Sequence, residues 1–280
     1  MNSWFIILLA FILVCAVAVL LYMAVFDGAS PFMHMKHRRG DYINDQTAVI
    51  VHSIKETRDS YKAYQLFASY IFANYKQFLS YVRTRIRSIS EAYNDNDYEI
   101  LRLDIDKIID MKVELKDQVQ TQADCLDSID SAYYIESAAW INIATNTRFD
   151  INKGLRRIAE VCIHYDETYS RPFPEDYSII LTEMVNDIGV ICDRSIDLID
   201  SADVDGMREL RKDINAMMAQ SYDNTSRLYD LIHDGRNSLE NEKLMALKYV
   251  LNAIQECYCI IYSLRRLVLC ILCITLSRRH

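Results

Sequence analysis

Only six glycines and three prolines, Pro31, Pro172 and Pro174, occur in 280 residues. Residues that break helices and shape tight turns are too scarce for the many turns of an all-β or α/β domain, which points to an almost wholly helical chain. Catalytic signatures are missing as well. The sequence contains no G-x-x-x-x-G-K-[ST], G-x-G-x-x-G, H-E-x-x-H or G-x-S-x-G, and hence no phosphate-cradling loop, zinc-protease helix or nucleophile elbow. No nucleophile and base can be paired by spacing, so the chain reads as a non-enzyme. Basic residues form no stripe beyond Lys36, His37, Arg38 and Arg39, and the net charge is −8. Phosphate neutralisation needs clustered cations, so nucleic acid is excluded as a partner.

What is present begins with one uninterrupted apolar run, Trp4 to Phe26, holding no charge, Gly or Pro. At 1.5 Å rise per residue it exceeds the roughly 20 residues needed to cross a bilayer core. Met1, Asn2 and Ser3 supply no basic n-region and no A-x-A-like cleavage site follows, which favours an uncleaved anchor over a removed signal sequence. The basic cluster at Lys36–Arg39 marks the adjoining membrane edge as cytoplasmic. The expected location is the inner (plasma) membrane, single-pass, with the bulk of the chain in the cytoplasm. Eight cysteines are modest for this length in a reducing compartment, so free thiols are expected. Cys257-x-Cys259 and Cys270-x-x-Cys273 approach zinc-ligand spacings, but their apolar surroundings favour packing.

Residues 27–46 carry Gly28, Pro31, Gly40 and the basic cluster and read as a juxtamembrane linker. Apolar or aromatic residues then recur, mostly three or four apart, at Ile50, Ile54, Tyr61, Tyr64, Phe67, Ile71, Tyr75, Phe78, Val82, Ile86 and Ile89. This predicts one long helix. Asn94 to Asp97 supplies a turn and an N-cap for the next helix, LRLDIDKIIDMKVELKDQV. A third helical region spans about Ser131 to Tyr169, with a break allowed at Asn146–Gly154, and Arg171-Pro172-Phe173-Pro174 stops it. The plan then restarts with helices over Glu175–Asp200, Met207–His233 and Lys243 to about Leu276. Leu101-Arg102-Leu103-Asp104-Ile105 is echoed by Leu210-Arg211-Lys212-Asp213-Ile214, each after an Asp-rich segment. A period near 100 residues suggests two copies of a three-helix unit. The terminal LVLCILCITL is too short to span by itself; bundle core, interfacial anchor and truncated longer segment are its three readings.

These features resemble the PhoU family of phosphate regulators. The closer similarity is to the PhoU-like cytoplasmic domain in the C-terminal region of Pit-type inorganic phosphate transporters. The residues concerned are LRLDIDKIIDMKVELKDQV and INKGLRRIAEVCIHYDETYSRPFPEDY in the first half. DGMRELRKDINAMMAQSYDNTSRLYDLI and LKYVLNAIQECYCIIYSL complete the pattern in the second. The resemblance covers roughly residues 47–265. After the transmembrane anchor (1–26) and linker (27–46) read from the apolar run and the basic cluster, it implies a first three-helix bundle (47–171) and a second (172–280) that includes the apolar C-terminal segment. It also implies a regulatory or accessory role in inorganic phosphate transport, exerted by contact with the transporter or another membrane permease. Self-association is left open.

PhoU proteins carry a Glu-x-x-x-Asp pair on the last helix of each bundle, where carboxylates at i and i+4 can hold a divalent or ferric metal ion. The corresponding first-half pair here is Glu160 and His164. The second half reads Glu256-Cys-Tyr-Cys-Ile260, which loses one ligand. The alternative for Glu160 and His164 is a pair satisfying each other at a helix end. Two other function classes compete: a membrane-tethered signalling or scaffolding bundle unrelated to phosphate, and a metal-dependent helical enzyme. The latter would need Glu-x-x-His pairs from facing helices, and none occurs.

Overall fold

In the computed structural model, residues 45–129, 131–170, 173–235 and 241–278 are described. The apolar run at 4–26 and nearly all of the basic linker lie outside these residues. The described chain is all-α: α1 (Asp45–Glu56), α2 (Ser60–Asn94), α3 (Tyr98–Leu126), α4 (Ser131–Tyr169), α5 (Glu175–Ser201), α6 (Val204–Gly235) and α7 (Asn241–Ser277). Residues 45–280 form one compact unit.

The single long helix expected across Ile50–Ile89 is two helices. Asp59 adopts an extended backbone and its carboxylate accepts a hydrogen bond from the Lys62 amide at 3.0 Å. That is N-cap chemistry, which the apolar periodicity does not register. Ile54 of α1 is nevertheless fully buried, so the stripe reaches the core from both sides of the break. The reverse outcome holds for α4, which runs unbroken through Asn146–Gly154. A Cβ on Gly154 would lie 2.7 Å from Ile260 Cγ1. This glycine thus permits close approach of α4 and α7 and does not break its helix.

Helices α2–α3–α4 and α5–α6–α7 repeat one plan. Each middle helix starts from a capping aspartate after a residue in the left-handed region: Asn96 then Asp97, and Ala202 then Asp203. Asp97 accepts from the Ile100 amide at 3.2 Å, and Asp203 from the Asp205 and Gly206 amides at 3.1 and 3.0 Å. Left-handed backbone costs a non-glycine residue of order 1 kcal/mol, which the captured amides offset. The halves pack through α2 on α5 and α4 on α7, while α3 leans on α2 and α4 and α6 leans on α5 and α7. The result is a four-helix centre with one flanking helix per half.

Between the halves, Phe173 is buried against Tyr93 and Tyr165, with ring centroids 4.9 and 4.4 Å away, and its amide donates to the Tyr93 hydroxyl. Ser170 adopts a left-handed backbone and Pro174 opens α5, so the proline-bounded stop stands where the sequence puts it. Helix α7 is long and apolar enough to cross a membrane by length and composition. Yet 61% of its most apolar window is buried within the protein. Leu264, Leu267, Val268, Cys270, Ile271 and Ile274 all join the common core, which is the first of the three readings of the C-terminal segment.

Candidate functional site

The two halves carry the same ion pair at the same place. Arg85 on α2 grips Asp104 on α3, and Arg194 on α5 contacts Asp213 on α6 at 2.6 Å. The partners are 19 residues apart in both cases. Arg194 and Asp213 stand 109 positions beyond Arg85 and Asp104, the same offset as between LRLDI and LRKDI. The environments differ. Asp104 is completely buried, with Lys107 Nζ at 3.9 Å, whereas the Asp213 side chain is 43% exposed.

That register bears on the predicted metal pair. An offset of 109 sets Glu160 against Leu269 and Glu256 against Thr147, so Glu256-x-x-x-Ile260 is not the counterpart of Glu160-x-x-x-His164. Glu160 and His164 lie one turn apart on α4, each with a neighbour of its own. Arg156 holds the Glu160 carboxylate at 2.6 Å, and exposed His164 meets the Tyr249 ring edge-on at 5.6 Å between centroids. Glu256 is engaged by Arg157 at 2.8 Å, a bridge that ties α4 to α7. Among the described residues, no group of three or more His, Cys, Asp and Glu is arranged to hold a metal ion. Among the other acidic residues, Asp193 binds Arg83 across the halves. Burial, reinforced by neighbouring Glu183, pushes the Asp187 carboxyl above its usual range.

The most unusual chemistry lies elsewhere, in a polar layer inside the first half. Arg148 on α4 is fully buried, on the same face as Ala144, Ile151, Leu155 and Ile158. Its Nη1 donates to Gln118 Oε1 at 2.6 Å and its Nε to the Ala144 carbonyl at 3.3 Å, while the guanidinium lies 5.9 Å from the centroid of the Tyr75 ring. The Gln118 amide passes the interaction on, donating to Glu114 Oε1 at 3.0 Å; Gln77 donates to the same oxygen at 2.9 Å. Burial raises the Glu114 carboxyl above its usual range, against the pull of Gln118 and Arg148. Burial likewise lowers the Arg148 guanidinium from its ordinary value.

Sequence reasoning missed Arg148. The available signal was a charged residue at a core position of an apolar stripe, where an unpaired charge is costly and therefore informative. Compared with known proteins, the chain matches no family model, no curated protein and no solved structure.

Proposed function

We propose that this chain is a membrane-anchored, PhoU-like accessory component of inorganic phosphate transport that acts by protein–protein contact. The observation carrying this reading is the internal repeat: two three-helix sets, each with an Asp-capped middle helix and an Arg–Asp pair between its first two helices. Two such units are what the resemblance to the PhoU-like domains of Pit-type transporters implies. The apolar run at 4–26 supplies the tether. A short linker raises the effective concentration of a tethered partner to roughly millimolar, so even a weak contact between bundle and permease is occupied while the anchor is intact. Control would then be steric or allosteric. The test is phosphate uptake in cells carrying the full chain, an anchorless chain or neither.

A second reading, a tethered scaffolding bundle unrelated to phosphate, is favoured by one specific observation. Glu160 is engaged by Arg156 and His164 meets an aromatic edge, and a histidine stands where the PhoU family has its second carboxylate, which weakens the parallel with that family's metal-binding pair. Under this reading, loss of the chain leaves phosphate uptake unaltered and alters the recovery of some other membrane protein.

A further inference from the structure

Helix α6 turns one face to the core through Leu210, Ile214, Ser221, Leu228 and Ile232. About a third of a turn round the helix lie Ala219, Tyr222, Ser226 and Tyr229, all exposed, at the alternating steps of three and four residues that keep a strip on one side. Tyr222 is 67% and Tyr229 50% exposed, so two aromatic rings face solvent one heptad apart, with small residues beside them. The Tyr229 ring is held in place, its hydroxyl accepting from Gln255 Nε2 at 2.6 Å. Asp223 and Arg227, one turn apart on the flank of this strip, are exposed too, and among the described residues neither side chain has a partner. The internal repeat makes this a contrast between the halves. At the offset of 109 that relates Asp104 to Asp213, Asp223 and Arg227 correspond to Glu114 and Gln118. Those two are engaged inside the bundle, Glu114 by Gln77 and Gln118 by Arg148. In the second half the same positions face solvent and carry opposite charges.

We propose that this strip of α6 is the contact surface for a second copy of the chain, the two α6 helices packing antiparallel across a two-fold axis beside Ser226. A two-fold contact must be self-complementary, residue i meeting j while j meets i. In antiparallel register about that axis, Tyr222 of one copy meets Tyr229 of the other. Like flanks also face each other, so Arg227 of each copy reaches Asp223 of its mate. One strip thus supplies two aromatic pairs and two ion pairs, while Ala219 and Ser226 let the helix axes approach. A parallel pairing would instead set this flank against Met218 and Thr225 of the mate and leave both charges unmatched. About three turns of helix make a small interface, so the pairing is reversible and is favoured where chains are concentrated. Pairing of copies requires no phosphate transporter and stands apart from the transport reading.

The test is analytical ultracentrifugation of the full chain in mild, density-matched detergent over a range of concentrations, with circular dichroism as the check on folding. A monomer–dimer equilibrium is expected. Arg227→Asp sets like charges against each other across the axis and should weaken dimerisation about tenfold, as should Tyr222→Ala. Asp223→Arg combined with Arg227→Asp restores opposite charges and should return the dissociation constant to within about threefold of the unaltered chain, a rescue that a merely structural role would not give. Ser226→Cys, mildly oxidised, should yield a disulfide-linked dimer beyond the background of the unaltered chain, and it serves if the charge variants do not fold. A monomer at every concentration, a dimer that Arg227→Asp and Tyr222→Ala leave undiminished, a charge-swapped chain no tighter than Arg227→Asp, or no added crosslink through Ser226→Cys would each overturn the assignment.

Discussion

The paired ion bridges let burial be separated from geometry within one molecule. Asp104 and Asp213 occupy equivalent positions and each meets an arginine 19 residues earlier, but Asp104 is 0% exposed and Arg85 14%, against 43% and 38% for Asp213 and Arg194. Removing one partner of a buried pair strands the other charge and costs about 3–5 kcal/mol, whereas an exposed pair contributes under about 1 kcal/mol. Each kcal/mol moves the midpoint of a domain this size by roughly 2–4 °C. Asp104→Ala should therefore lower the thermal midpoint by roughly 6–20 °C, and Asp213→Ala by no more than about 4 °C. Arg85→Met added to Asp104→Ala should recover part of the loss, because it removes the stranded cation. The assay is circular dichroism of the full chain in detergent for all variants and the corresponding double-mutant cycle. Equal losses at the two sites, or no recovery in the double variant, would refute the claim that Asp104 is a buried, charge-compensated anchor.

Asp187 gives a pH signature of known sign. Burial first, and Glu183 second, raise its folded-state pKa above the ordinary 3.8, so the folded form holds a proton that the unfolded chain has released. Its contribution to stability is lost as pH rises from the unfolded value through the folded one. Asp187→Asn should therefore stabilise at neutral pH, and the gain should shrink as pH falls toward 4; a pH-independent difference would exclude the titration. Thiol labelling tests the placement of α7. Cys259 and Cys273 are exposed, whereas Cys125 and Cys162 are buried, with burial pushing the latter thiols up to about 11 and about 12. A water-soluble maleimide applied to detergent-free membranes with both faces accessible should label Cys259 and Cys273 and spare Cys125 and Cys162. Protection of the first two until the bilayer is dissolved would show that α7 lies in lipid.

Element type and the order of helices were legible because scarce glycine and proline leave few stopping points, and those used are chemically marked. Asp97 caps α3 and Pro174 opens α5 where their residue types demand it. The break at Asp59 was hidden by the stripe on either side of it, since Ile54 and Tyr64 are core residues of two different helices. Gly154 misled in the opposite direction: its role depends on Ile260, which is distant in sequence. The LRLDI echo located the repeat and carried its offset of 109; what the sequence did not show is that its aspartates are gripped by equivalent arginines, Arg85 and Arg194, of the preceding helices. The candidate site was the least legible. Glu160 and His164 have the right spacing on one helix, yet their partners, Arg156 and Tyr249, were not anticipated. Arg148 required knowing that the face carrying Ala144 and Ile151 points into the core.

Phosphate uptake is the measurement closest to the central claim. Radiolabelled inorganic phosphate would be followed in cells lacking the chain and in the same cells expressing either the full chain or one without residues 1–26, at matched levels. The accessory reading expects uptake to change on deletion, to be restored by the full chain, and to stay at the deletion level with the anchorless chain even though that chain remains helical and folded. Uptake and phosphate-responsive growth identical in all three strains would contradict it and leave the scaffolding reading in its place.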